Sequence, residues 1–131
     1  MNPDFLDIIR ALLDAEARFI IVGAYALNLC IDPRATKVMQ ALKQFGAPLS
    51  DVIESDLARP GVTLQIGIAP RRIDLLTELS GIEFDEAWKD RSMFPFGPFT
   101  ISFLSKASLI KNKRAIGRPK DLLDIEELEK S

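Results

Sequence analysis

Histidine is missing from the 131 residues, and cysteine, tryptophan and tyrosine occur once each. Without an imidazole there is no Ser-His-Asp triad, no histidine general base and no His-ligated zinc site. Without a partner for Cys30 there is no intrachain disulfide and no Cys-pair metal site. Chemistry must therefore come from carboxylates, lysine, arginine or the backbone. Long apolar runs are also missing. The longest uncharged stretches, Phe19 to Ile31 and Ser92 to Ser105, fall short of the roughly 20 apolar residues a membrane-spanning helix needs, and Pro and Gly interrupt the second. Met1-Asn2-Pro3-Asp4 has no basic region ahead of an apolar run, so no secretory signal is expected and the cytoplasm is the expected compartment. Seventeen basic and nineteen acidic residues leave a net charge of −2, which excludes polyanion binding by bulk charge.

What is present suits one domain, 47% hydrophobic and 27% charged, able to bury roughly two-thirds of its unfolded surface without staples. Asn2, Pro3 and Asp4 form a helix-start signature, and Phe5, Ile8, Ile9, Leu12 and Leu13 follow as one apolar stripe. Phe19 to Val22 reads as a strand buried on both faces, ended by Gly23-Ala24. Tyr25 to Cys30 reads as a short helix closed before Pro33, and Lys37 to Phe45 as a longer one stopped by Gly46-Ala47-Pro48. Ser50 and Asp51 suit the start of a further short helix up to Leu57.

Val62, Leu64, Ile66 and Ile68 alternate with smaller or polar residues as a strand does, and Ala69-Pro70-Arg71 turns into a second strand, Arg72 to Thr77, predicting a hairpin. Phe84 to Arg91 is a short helix. Phe94 to Phe103 predicts an edge strand leading into another, because proline is confined to sheet edges. Ser105 caps a helix to about Ala115, Ile116-Gly117-Arg118 breaks it, and Pro119 starts a last helix to Glu129. The expected class is α+β: a mixed sheet with helices packed mainly on one side.

Two features carry candidate chemistry. Asp74 lies inside the apolar strand Arg72-Ile73-Asp74-Leu75-Leu76, where a carboxylate is costly unless it meets a cation, a metal or hydrogen-bond donors; Arg72, two residues away on the same face, is the nearest structural partner. Lys106, Lys111, Lys113, Arg114, Arg118 and Lys120 form a local basic run free of acids. Gly117-Arg118-Pro119-Lys120 sets cations and backbone N–H groups at a helix N-terminus, an arrangement that suits a phosphate. A solvated basic face beside the acidic stretch Asp121 to Glu129 is the alternative.

Phe19-Ile20-Ile21-Val22-Gly23-Ala24-Tyr25-Ala26-Leu27, Pro33-Arg34-Ala35-Thr36, Arg72-Ile73-Asp74-Leu75-Leu76-Thr77 and the run Lys113 to Asp124 together resemble the small bacterial nucleotidyltransferase-like proteins of the DNA polymerase β superfold. The resemblance implies transfer of a nucleotidyl group from an NTP to an acceptor by a two-Mg²⁺ mechanism. It further implies Asp74 as third metal-binding carboxylate and catalytic residue. Gly23 and Ala24 would stand at the nucleotide turn, with Arg34, Lys113, Arg118 and Lys120 around phosphates or in structural pairing with Asp121 and Asp124, and an RNA or protein acceptor would meet the run Lys106 to Lys120. Members carry a D-x-D pair on the second strand, because residues i and i+2 of a strand point the same way and converge on one metal pair.

Here that pair is absent. After Pro33-Arg34-Ala35-Thr36-Lys37 the chain passes directly into helical Val38-Met39-Gln40-Ala41-Leu42, and Asp14-Ala15-Glu16 and Asp124-Ile125-Glu126 fall on helices, where i and i+2 diverge by about 200°. Either the chain is a degenerate member that has lost its catalytic strand, or about ten to fifteen residues are omitted at Lys37-Val38. Omission is favoured because a strand lost from mid-sheet leaves its neighbours' backbone groups unpaired. The alternative function is a catalytically inactive binding or regulatory module of the same fold, antitoxin-like in character.

Overall fold

In chain order the elements are α1 (Pro3–Asp14), β1 (Phe19–Gly23), β2 (Leu27–Ile31), α2 (Ala35–Phe45), β3 (Thr63–Ile66) and β4 (Ile73–Leu76). They continue with α3 (Phe84–Lys89), β5 (Ser92–Phe96), β6 (Phe99–Phe103), α4 (Lys106–Ile116) and α5 (Pro119–Lys130). The computed structural model describes residues 3–23, 27–32, 35–45, 61–66 and 72–130. The expected Asn2 cap, the stop at Gly46-Ala47-Pro48, the helix from Ser50 to Leu57 and the turn Ala69-Pro70-Arg71 lie outside those residues.

The strands form one six-stranded mixed sheet in the order β3-β4-β2-β1-β6-β5, and the class is α+β. β3 and β4 pair antiparallel as the expected hairpin. β5 and β6 form a second antiparallel pair with the proline-bearing strand at the sheet's edge.

One expectation is overturned. Residues 27–30, read as the end of a short helix, belong to strand β2, which pairs antiparallel with β1 and parallel with β4. The reason is tertiary. Leu27, Leu29 and Ile31 enter one core while Cys30 enters the other, so a period of two buries apolar side chains on both sheet faces, and both rows of backbone groups find partners. The sheet therefore has no unpaired gap between β1 and β4, which removes the cost that favoured omitted residues. α2 runs unbroken through Lys37 and Val38.

Helices cover both faces, not mainly one. On the first face α1 and α2 bury Phe5, Ile8, Ile9, Leu12, Val38 and Leu42 against Phe19, Ile21, Leu29 and Leu75. Leu13, expected in the α1 stripe, is instead 40% exposed. α1 ends in a left-handed residue, Glu16 at φ 57°. Its N–H reaches the Leu13 carbonyl while the Ala17 N–H reaches that of Leu12, each at 3.0 Å, the paired closure of a Schellman motif.

The second face holds a smaller core of Ile20, Cys30, Leu79, Ile82, Ala87 and Leu104, with Phe84, Trp88 and Leu109 packed against it. α4 starts on Ser105, whose Oγ accepts from the Ser108 N–H at 3.0 Å and donates to Asp90 Oδ2 at 2.6 Å. It ends at Gly117, left-handed at φ 71°, whose N–H reaches the Lys113 carbonyl at 2.9 Å. Gly81, at φ 79°, presses on this helix so closely that a Cβ there would stand 2.5 Å from that of Ala115. Asn112 Nδ2 donates to the Ser80 carbonyl at 3.0 Å, tying the turn that contains Ser80 and Gly81 to α4.

Candidate functional site

β2 and β4 run side by side with Asn28 opposite Asp74, Gly23 opposite Asn28, and Gln65 of β3 opposite Asp74. Directly paired residues share a face, so a polar row crosses four strands: glycine, amide, carboxylate, amide. Gly23 lies close to Asn28: a Cβ on it would stand 3.3 Å from the amide nitrogen. The Asp74 side chain is 11% exposed, with Arg72 Nε 3.2 Å from Oδ1. Those two atoms have no aligned hydrogen bond, so the contact is an ion pair held by charge. The nearby partner weighed from the sequence, Arg72, is the one Asp74 meets.

The two-metal chemistry that the resemblance implies takes two of its carboxylates from positions i and i+2 of the strand beside Asp74. The strand next to it offers Asn28 and Cys30, an amide and a thiol. Burial, and secondarily Asp32, push the Cys30 thiol up to about 12, so it is neither a thiolate ligand nor a nucleophile near neutral pH. Among the described residues no three Asp, Glu, Cys or His side chains gather to hold a metal ion. The described residues thus do not fit a Mg²⁺ pair at Asp74.

Beyond Asn28, between the sheet and the α4–α5 pair, lies a cleft of about 530 Å³. Its apolar wall is Val22, Leu76, Leu79, Leu109 and Ile116, and its polar groups are Asn28, Glu78, Ser80, Asn112, Lys113, Arg118 and Asp121. It brings together Gly23, Lys113 and Arg118 from the expected phosphate set. Asp74 and Lys120 are not in its lining, and Ala24 and Arg34 lie outside the described residues.

The cations there are already engaged. Arg118 donates to Asp121 through Nε at 2.6 Å and Nη2 at 3.2 Å, and its backbone N–H also reaches Asp121 Oδ2 at 3.3 Å. Lys113 Nζ lies 3.0 Å from Asp124 and 3.8 Å from Asp121. The anion that the N-terminus of α5 was expected to take from a ligand is thus supplied by Asp121, three residues along its own helix. Hydrogen bonding from Arg118 is the main reason Asp121 is held below the usual carboxylate range, and the same contact raises Arg118 further. Lys111 and Arg114 of the basic run are similarly engaged, at 2.7 Å from Glu86 and 3.0 Å from Glu129.

Asn28, Glu78, Ser80 and Asn112 were not anticipated as site residues. A signal for Asn112 does exist, since Ser105, Ser108 and Asn112 recur at helical spacing and are buried, a polar stripe easily mistaken for a solvated one. The Asn28 signal is the alternation in Leu27-Asn28-Leu29-Cys30-Ile31, hidden by the helical reading. Compared with family models, curated proteins and solved structures, the chain has no match. No described helix is long and apolar enough to cross a membrane.

Proposed function

We propose that this chain is a binding module on a nucleotidyltransferase-like scaffold that does not perform nucleotidyl transfer. The observation that carries the reading is the pair Asn28 and Cys30 on the strand beside Asp74. Transfer from an NTP needs several carboxylates converging on two cations, and among the described residues Asp74, ion-paired with Arg72, is one carboxylate where several are needed. Binding, by contrast, needs only a concave surface with an apolar wall and a few placed polar groups, and the cleft at Gly23, Asn28, Asn112 and Arg118 supplies these.

The test is incubation with each NTP and Mg²⁺, using the protein itself, tRNA and a protein extract as acceptors, with pyrophosphate release and label transfer as readouts. Neither should exceed a no-protein control. Release that disappears in Asp74→Ala would overturn the reading and restore Asp74 as a metal ligand.

A further inference from the structure

The charges around the cleft do not favour a phosphate. Lys113 and Arg118 are matched by Asp124 and Asp121, and Lys120 of α5 is not part of the lining. The other charged group in the described lining is Glu78, for which no opposing cation is found there. Its position is set by its neighbour. Thr77 clamps the end of β4 to Val62, its N–H donating to the Val62 carbonyl at 3.0 Å while its Oγ1 accepts from the Val62 N–H at 2.9 Å. Glu78 follows directly, exposed at the rim. A triphosphate would bring several negative charges against Glu78, Asp121 and Asp124, and could recruit Arg118 or Lys113 only by breaking pairs of 2.6 and 3.0 Å.

The geometry points to the opposite ligand class: a small molecule with one cationic head, an ammonium or guanidinium, on an apolar ring or chain. The head would meet the Glu78 carboxylate. The body would lie on Leu76, Leu79, Leu109 and Ile116, with Asn28 available as a hydrogen-bond partner. A volume of about 530 Å³ admits a body of one or two fused rings. This assignment rests on the binding-module reading. It is separable from it because transfer activity and head-group preference are read in different assays.

Three indoles that share a ring and differ in head-group charge test it: tryptamine, tryptophol and indole-3-acetate, titrated by calorimetry or ligand-observed NMR at pH 7, with ATP with and without Mg²⁺ as a fourth arm. Tryptamine should bind tightest and indole-3-acetate weakest. Glu78→Gln should weaken tryptamine about fivefold, the upper end for an exposed ion pair, and leave tryptophol unchanged. Equal binding of the three indoles, no binding of tryptamine at millimolar concentration, tighter binding of ATP, or an unchanged tryptamine affinity in Glu78→Gln would each overturn the assignment. Because Glu78 is exposed, the variant keeps the fold, which an unchanged thermal midpoint verifies.

Discussion

The two faces of the sheet are built from different materials. Against α1 and α2 the sheet presents leucine and isoleucine, and Ile8, Ile9, Leu12, Leu27, Leu29, Leu42 and Leu75 have essentially no exposed surface. Against α4 and α5 it presents a short apolar core that gives way to amides, ion pairs and a cleft. The first face holds the chain together by burial at about 25 cal/mol per Å². The second is held by directional contacts that fix side chains in place and contribute less to stability. The residues singled out from the sequence for chemistry and described in the structure, Gly23, Asp74, Lys113, Arg118 and Lys120, lie at the open face or on the helices that cover it.

That contrast can be broken most forcefully on the closed face. Leu29→Ala should cost about 3 kcal/mol, the usual range for a fully buried leucine, whereas Leu109→Ala on the open side should cost about 1 kcal/mol; urea midpoints at constant slope measure both, and equal losses would erase the distinction. Next comes Gly81→Ala, which combines a left-handed backbone with the collision at Ala115 and should cost about 2 kcal/mol. Adding Ala115→Gly should recover the collision part and leave the backbone part.

A smaller effect separates charge from packing. Because Asp121 titrates below its unfolded value, its contribution is present above about pH 4 and is lost as the pH falls from there through the lower folded value. Asp121→Asn should be the less stable protein at pH 7, with the difference from wild type shrinking in an acid titration followed by circular dichroism. A difference that stays constant down to pH 2 would assign the residue to packing alone. Smallest is Glu16→Gly, which relieves a left-handed glutamate and should raise stability by about 0.5 kcal/mol after the entropic cost of glycine.

How much of this could be read from the residue order follows the same division. The α1 stripe, the buried first strand, the β3–β4 hairpin, the proline-bearing edge strand and the Ser105 cap were legible because each is written locally, in periodicity, turn residues or capping side chains. β2 was not, because Leu27-Asn28-Leu29-Cys30-Ile31 lacks the β-branched enrichment of a strand and takes its shape from the two strands it joins. The electrostatic state of the basic run was legible in part: the pairing of Lys113 and Arg118 with Asp124 and Asp121 is one of the two readings the sequence offers, and the remaining pairs are not. The partners of Lys111 and Arg114 lie 25 and 15 residues away, and a local count of charge cannot see them. Asp74 shows the boundary clearly: its need for a partner was evident from composition, but the amides flanking it in the sheet depend on register.

The burial of Cys30 has a practical consequence. With its thiol pushed up to about 12 by burial, the folded chain holds far fewer thiolates than the unfolded chain near neutral pH. As the only sulfhydryl in the sequence, it acts as a built-in clock on the central strand. An alkylating reagent can mark the protein only when β2 parts from its neighbours, so the rate of labelling times the opening of the strand on which the choice between transfer and binding turns.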